Sequence, residues 1–460
     1  MTSYPYSLPQ NPFPSSPTPT LMDAKVLGGK RHRDAKDAIL NCIHELSGKI
    51  STKSEASERD FRLITVIQDV GAGKTHLALH IKATQDRVVC SYMDLTTISP
   101  KNLPSLYSGV LAGFSAEYIG ELKASIIEHI KQKALRNDKA AKKFFRPSFF
   151  GSKSFEELAG EVLEGKREPD IRALNEFLVD GFDVDERAMI KKVIYGEFRN
   201  GSDATGLEGM LARLAAIAKL NHLFLGKATM LEVDELDANE DAMDFVKAIV
   251  NAHLPSSILL LITTPSLYDQ IRNANASIFD RLEKANYKID LAGSSTFGEV
   301  SDIVLEYMRQ GDEVQRFAAH EDELMSRLRV IFDEFSEFRN IRSMLNIMYH
   351  AMEVAGRNGA STLTEDALEE TIKQAYPGLT VRGSIMNVPI SEFIRIRRET
   401  VDSSMLEGSV KDAVKSLVMF AHEQGRISKP EQSNGHSGNG TRDVDDGIGV
   451  DTVYGDPSGS

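Results

Sequence analysis

Tryptophan is absent from this 460-residue chain, and cysteine occurs only as Cys42 and Cys90. Without Trp, the core has to be built from aliphatic side chains, Phe and Tyr. Two cysteines are too few for a disulfide framework or a multi-cysteine zinc site, which points to a reducing cytoplasm. Long hydrophobic runs are missing too. Stretches such as residues 258–262 fall far short of the ~20 apolar residues that cross a bilayer, so no membrane partner is expected. The N-terminus has neither the basic start nor the apolar run of a secretory signal. No internal repeat is visible. A formal net charge of −13 argues against indiscriminate coating of nucleic acid, although a local basic surface remains compatible with it. What is present is ordinary for a soluble globular protein: 41% hydrophobic and 26% charged residues, in a length that suits roughly two or three domains.

The chain divides by composition. Six of its sixteen prolines fall within residues 1–22, which predicts an extended arm over residues 1–24. Apolar residues at helical spacing predict a helix over residues 34–46. Branched residues over 61–67 predict a strand, followed by a glycine-containing turn, a helix from about Lys74 and a second strand over 88–94. Strand, glycine loop, helix, strand is the opening of a parallel α/β sheet. Residues 100–225 are read as a helical insertion. Buried strands over 228–234 and 257–263 resume the sheet, with a helix over 242–250 between them. Residues 296–378 are again helical, with the clearest runs over 342–355 and 365–375. A short helical extension, with a helix over 409–422, is expected in residues 379–426. Residues 427–460, dominated by Gly, Ser, Asn and Asp, are expected to be disordered.

Gln68-Asp69-Val70-Gly71-Ala72-Gly73-Lys74-Thr75 sits between the first strand and its helix. Small residues there let backbone N–H groups wrap phosphate oxygens, and the following helix adds the positive end of its dipole. Gly71, Ala72, Gly73, Lys74, Thr75 and His76 are therefore the candidate ATP-binding set. Lys74 would pair with the β- and γ-phosphate oxygens, and Thr75 would offer its hydroxyl to Mg²⁺. The usual first glycine of such loops is replaced by Gln68, so the turn must depend on Gly71 and Gly73.

Met230-Leu231-Glu232-Val233-Asp234-Glu235 is the second signal. A strand ending in Asp-Glu fits a Walker B element: Asp234 would hold Mg²⁺ through water and Glu235 would polarise the attacking water. Asp237, Glu240 and Asp241 follow closely, which also suits a solvated acidic turn. Glu232 is out of place in a dry strand. Either it faces the site as an extra carboxylate or the strand is shorter. At the tip of the strand over 257–263, Thr264 or Thr263 could contact the γ-phosphate, or simply satisfy backbone groups.

Asn275-Ala276-Ser277-Ile278-Phe279-Asp280-Arg281-Leu282 resembles the segment before the lid of AAA+ ATPases, which presents an arginine to a neighbouring subunit's nucleotide. Residues 338–346, with Arg342, resemble the sensor 2 helix of that lid, although Arg339 stands where a glycine is usual. Thr362-Leu363-Thr364-Glu365-Asp366-Ala367-Leu368 resembles the start of the last lid helix, and Thr364 followed by acids is a helix start on physical grounds as well. On residue type alone, each arginine would equally suit a surface ion pair. The resemblance spans roughly residues 25–375, with residues 25–295 as the ATPase core. Within the family it resembles two groups: the origin-recognition (initiator) clade, through Asp234-Glu235-Leu236-Asp237 and the lid, and the ATP-binding proteins of BREX phage exclusion, through Gly71–His76 and the insertion. It implies a P-loop NTPase three-layer parallel sheet with a helical insertion and a helical AAA+ lid. It also implies a cytoplasmic ATPase using ATP and Mg²⁺, acting on DNA or DNA-bound partners. Arg281 would act in trans within a homo- or hetero-oligomer, leaving the isolated chain a weak hydrolase. The alternative is an ATP-gated adaptor with little hydrolysis.

Two basic stretches complete the reading. Lys30-Arg31-His32-Arg33 precedes the first helix, a region that lies near the adenine in the resembling ATPases. Residues 131–150 carry Lys131, Lys133, Arg136, Lys139, Lys142, Lys143 and Arg146, interleaved with Phe144, Phe145, Phe149 and Phe150. Such a pattern could bind DNA through phosphates and stacked bases, or be a solvated helix face whose phenylalanines are core.

Overall fold

Residues 4–16, 24, 26–52, 55–69, 71, 73–145, 153–179, 181–202, 204–293, 295–312 and 317–375 are described by the structure, a computed structural model. The expected extension over 379–426, the tail over 427–460, Ala72 and residues 146–150 of the basic stretch lie outside them.

Helix α1 (Lys30–Thr52) is followed by strand β1 (Arg62–Ile67), helix α2 (Lys74–Thr84) and strand β2 (Val88–Asp94). The insertion comprises α3 (Leu103–Gly113), α4 (Ala116–Leu135), α5 (Lys139–Phe144), α6 (Phe155–Leu163), α7 (Ile171–Leu178), α8 (Val184–Tyr195) and α9 (Gly206–Leu220), closed by a π-helical turn at Asn221–Leu225. The sheet resumes with β3 (Ala228–Asp234), α10 (Glu240–Ala252), β4 (Ser257–Thr263), α11 (Pro265–Ala274), α12 (Ala276–Glu283) and β5 (Tyr287–Asp290). Helices α13 (Phe297–Gly311), α14 (Glu321–Glu334), α15 (Ile341–Arg357) and α16 (Glu365–Ala375) form the lid.

All strand pairs are parallel, in the order β2-β3-β4-β1-β5. Strands β3 and β4 are buried at every position, as parallel strands covered on both faces must be. Pairing of Ile67 with Thr263 and of Asp94 with Asp234 brings the carboxyl ends of the strands to one edge. In open parallel sheets that edge is where ligands bind. The architecture is that of a P-loop NTPase: a three-layer parallel sheet with a helical insertion and a helical lid. Strand β5 escaped the sequence reading. Its four residues alternate between half-buried and exposed, too short a run for a period of two to register.

Three apolar clusters hold the molecule. One lies under α1 and α2 and contains both buried thiols, Cys42 and Cys90. A second joins the opposite sheet face to the insertion, through Phe114, Phe144, Phe145 and Phe198. The insertion thus shares a core with the sheet. The third belongs to the lid, and it takes in Tyr6, Leu8 and Phe13 from the proline-rich arm. The arm, expected as plain extended chain, makes one 3₁₀ turn at Pro5–Ser7 and packs against the lid.

Candidate functional site

The loop after β1 turns at two glycines with left-handed backbone, Gly71 (φ +79°) and Gly73 (φ +102°), where a side chain would be strained. Gly73 precedes Lys74, the first residue of α2, and no side chain caps that helix start. Its N–H groups are of the kind that receive an anion. Gln68 ends β1. Its N–H donates to the Thr263 carbonyl at 3.0 Å, and its buried amide is hydrogen-bonded to His32 Nε2 at 2.7 Å. A Cβ on Gly73 would stand 3.2 Å from the same His32 nitrogen. The residue that replaces the usual first glycine therefore braces the loop against α1. Sequence reasoning placed His32 in a basic cluster and missed this role, because the contact spans 36 positions.

Strand β3 delivers the acids. Thr75 Oγ1 donates to Asp234 Oδ2 at 2.7 Å, and the Tyr92 hydroxyl donates to the same oxygen at 2.9 Å. Burial pushes the Asp234 carboxyl above its ordinary value, while the Thr75 and Tyr92 hydroxyls pull the other way. Tyr92 was not singled out from sequence. It lies directly beside Glu232 in the β2–β3 pairing. Glu235 has a left-handed backbone (φ +55°), uncommon for a residue with a side chain and characteristic of functional turns. Its N–H donates to Asp234 Oδ1 at 2.8 Å, and its carboxylate pairs with Lys74 Nζ at 2.6 Å. Lys74 is only 4% exposed, so this ion pair is screened little by solvent. The turn is fixed from β4: Leu236 N donates to the Ile262 carbonyl at 3.1 Å, and Thr263 Oγ1 donates to the Leu236 carbonyl at 2.9 Å.

One sequence alternative for Glu232 fails: strand β3 runs its full expected length. Glu232 lies on the same strand face as Asp234, is 1% exposed, and neither carboxyl oxygen has a hydrogen bond among the described residues. Burial first, and the nearby Asp234 charge after it, push its pKa well up, with Lys82 opposing.

The remaining sequence candidates lie as follows. Thr264 caps α11, its hydroxyl accepting from Leu267 N at 3.2 Å, and it does not line the cleft. His76 lines the cleft and is hydrogen-bonded through Nε2 to the Val26 carbonyl. Arg342 is at the start of α15. Its side chain reaches the cleft, and its backbone N donates to the Gly71 carbonyl at 3.3 Å, so the lid touches the loop directly. Arg281, half-buried on α12, makes no ion pair among the described residues. Of the cluster at 30–33, Arg31 and Arg33 reach the lid. Arg31 is hydrogen-bonded to the Leu291 and Ala292 carbonyls and pairs with Glu299 at 3.3 Å, and Arg33 pairs with Asp302 at 3.1 Å.

A cleft between base and lid is lined by Gly71, Gly73, Lys74 and Thr75 together with apolar Leu27, Ile303, Ile341 and Leu345. A hard divalent cation such as Mg²⁺ takes oxygen ligands and usually keeps waters and phosphate oxygens among them. Thr75 Oγ1 and Asp234 Oδ2, already 2.7 Å apart, are a donor set of that kind. Among the described residues no cluster of three or more His, Cys, Asp or Glu offers a metal cage.

In the basic stretch, the alternative of core phenylalanines holds for the two that are described. Phe144 and Phe145 are fully buried in the core shared with the sheet, so they offer no base-stacking surface. Lys131 is buried and paired with Glu128 and Glu156, and Lys143 pairs with Glu176 at 3.2 Å.

No family model matches this sequence, and no curated protein matches it. Solved structures similar to it include the Aeropyrum pernix ORC2 protein in ADPNP–ADP complexes, at 12% identity over 76% of this chain and 69% of that one, with a TM-score of 0.41. The ADP form of the same protein matches at 12% identity over 72% and 66%, with a TM-score of 0.37. Drosophila ORC bound to DNA matches at 11% identity over 88% and 76%, with a TM-score of 0.36. Likeness this loose assigns no role to any residue.

Proposed function

We propose that this protein is an AAA+ switch that binds and hydrolyses ATP and acts on DNA or on DNA-bound partners. The observation that carries the ATPase reading is the convergence of Lys74, Thr75, Asp234 and Glu235 at the carboxyl ends of β1 and β3. Lys74 would hold the β- and γ-phosphates. Thr75 and Asp234 would hold Mg²⁺, which when bound neutralises developing phosphate charge. Glu235 would orient the attacking water and accept its proton. The Lys74–Glu235 pair adds an order of events. Incoming phosphates compete with Glu235 for the ammonium, so nucleotide entry releases the glutamate for its task. Arg342 would read the γ-phosphate from the lid, and Arg281 would be offered to the site of a neighbouring subunit. Lid movement between ATP and ADP states would be the output. The DNA target rests on the family resemblance and on the exposed Lys133, Arg136 and Lys139.

A second reading, an ATP-gated adaptor, is favoured by one observation: Thr263 and Thr264 both have their hydroxyls engaged with backbone, which leaves the γ-phosphate without an evident sensor on β4.

The test is steady-state ATP hydrolysis by the purified chain with and without double-stranded DNA, beside Lys74→Ala and Glu235→Gln. DNA-stimulated turnover lost in both variants supports the switch. Tight ATP binding with equally inert wild type and Glu235→Gln overturns hydrolysis in favour of the adaptor.

A further inference from the structure

The arm before α1 is built into the lid. Tyr6, Leu8 and Phe13 are 4%, 1% and 3% exposed, buried in the lid core. Polar contacts fix the direction of the chain. The Tyr4 hydroxyl donates to Glu353 Oε1 at 2.9 Å, and Asn11 Nδ2 donates to the same oxygen at 2.9 Å and to the Tyr349 carbonyl at 3.0 Å. Tyr6 N donates to the Ser361 carbonyl at 2.7 Å, and its hydroxyl accepts from Leu363 N at 3.2 Å. The lid surface is shaped to receive the arm. A Cβ on Gly311 would lie 2.8 Å from Pro12 Cβ, and one on Gly356 would lie 3.2 Å from the Tyr4 ring.

The docked stretch leads to the cleft. Phe13 packs on Tyr307 with ring centroids 5.9 Å apart, and Tyr307, Pro14 and Ser16 all line the cleft that holds Lys74 and Thr75. The chain reappears on the other side of that cleft, pinned to α2: His80 Nδ1 is hydrogen-bonded to the Ala24 carbonyl at 2.6 Å, and His76 Nε2 to the Val26 carbonyl. Leu27 and Gly28 then line the cleft from the base. Pro14, Leu27, Ile303 and Leu345 give the cleft apolar walls, and Ser16 and Asn346 give it a hydroxyl and an amide. Flat apolar walls with a few polar groups suit a purine and its ribose, in contrast to the phosphate-binding loop.

We propose that the lid-docked arm forms a wall of the site for the nucleoside half of the nucleotide, so that the lid presents a complete site only with the arm in place. This rests on the reading of Lys74 and Thr75 as the phosphate site. Arm docking and nucleoside binding then support each other, and a nucleotide stripped of its nucleoside gains nothing from the arm.

The experiment compares the full chain with Tyr6→Ala/Phe13→Ala, which removes two buried anchors from the arm. Calorimetry with Mg²⁺ measures binding of ATP and of inorganic tripolyphosphate, which carries the phosphates alone. The expected result is ATP affinity reduced by about tenfold or more, because only the fraction of molecules with a docked arm is competent, with tripolyphosphate affinity unchanged. Asn11→Ala, which loosens docking without touching the core, should move ATP in the same direction by a smaller step. Limited proteolysis reports whether the arm has undocked. Unchanged ATP affinity with an undocked arm overturns the inference and leaves the phosphate site standing. An equal loss for both ligands also overturns it, because the effect would then be general. If wild type binds neither ligand, the underlying phosphate-site reading fails.

Discussion

Glu232 has no hydrogen bond among the described residues and stands two residues before Asp234 on the same strand face. Its pKa in the folded chain lies above the ordinary glutamate value of 4.5, so folding takes up a proton in the interval between the two. The stability it contributes is complete below 4.5 and is lost as pH rises through the interval, at about 1.4 kcal/mol per unit. Glu232→Met removes that titration. The urea midpoint of the variant should therefore gain on wild type as pH rises above the ordinary glutamate value. A constant difference would mean that the folded carboxyl is ionised. At the phosphate loop, Lys74→Ala should weaken ATP binding roughly ten- to a hundredfold by calorimetry, the loss of one charge-assisted contact. Glu235→Gln should keep the affinity and lose roughly 10²- to 10⁴-fold in turnover. Lys74, Thr75, Asp234 and Glu235 were legible because each lies at a strand end in a local string. His32 and Tyr92 were not, since their partners are distant in sequence and a lone ring carries no local pattern.

Between elements, one close approach is that of the chain before α1 to α13. A Cβ on Gly28 would lie 2.5 Å from Ile303 Cγ1, 2.6 Å from its Cα and 2.9 Å from its N. Backbone cannot yield as a side-chain tip does. Gly28→Ala should therefore cost about 1–3 kcal/mol in urea unfolding, as overpacked sites do, and weaken ATP binding with it because the cleft passes through that contact. Equal stability in the variant would show that α13 rides loosely on the base. Elements with strong periodicity, such as α15 and α16 or β3 and β4, were visible from residue pattern alone. The arm was visible only as prolines. Its three buried apolar residues have no helical or strand spacing, so nothing in the sequence said what they would bury against.

At the scale of the whole molecule, Arg281 is the residue whose proposed role reaches beyond a single chain. It makes no ion pair among the described residues, so removing it should leave the fold unchanged. Turnover per chain should rise with protein concentration, and Arg281→Ala should abolish that rise, with a loss on the order of 10³-fold. Mixing Arg281→Ala with Lys74→Ala should restore part of the activity, because a mixed pair holds one intact loop facing one intact arginine. Failure of the mixture to recover would place Arg281 in its own chain's chemistry or outside it. The sequence could propose this residue from the segment around it, but no single chain displays the geometry of a shared site.

The two thiols lie in the same cluster beneath α1 and α2. Burial pushes Cys42 up to about 11 and Cys90 well above its ordinary value, so at neutral pH neither holds appreciable thiolate, the form that alkylating dyes attack. The native chain is therefore silent toward maleimides while folded. A cysteine introduced at an exposed position would take up a fluorophore on its own, with no need to strip the background first. Distances between a labelled arm and a labelled helix could be followed in the otherwise unaltered protein, one turnover at a time.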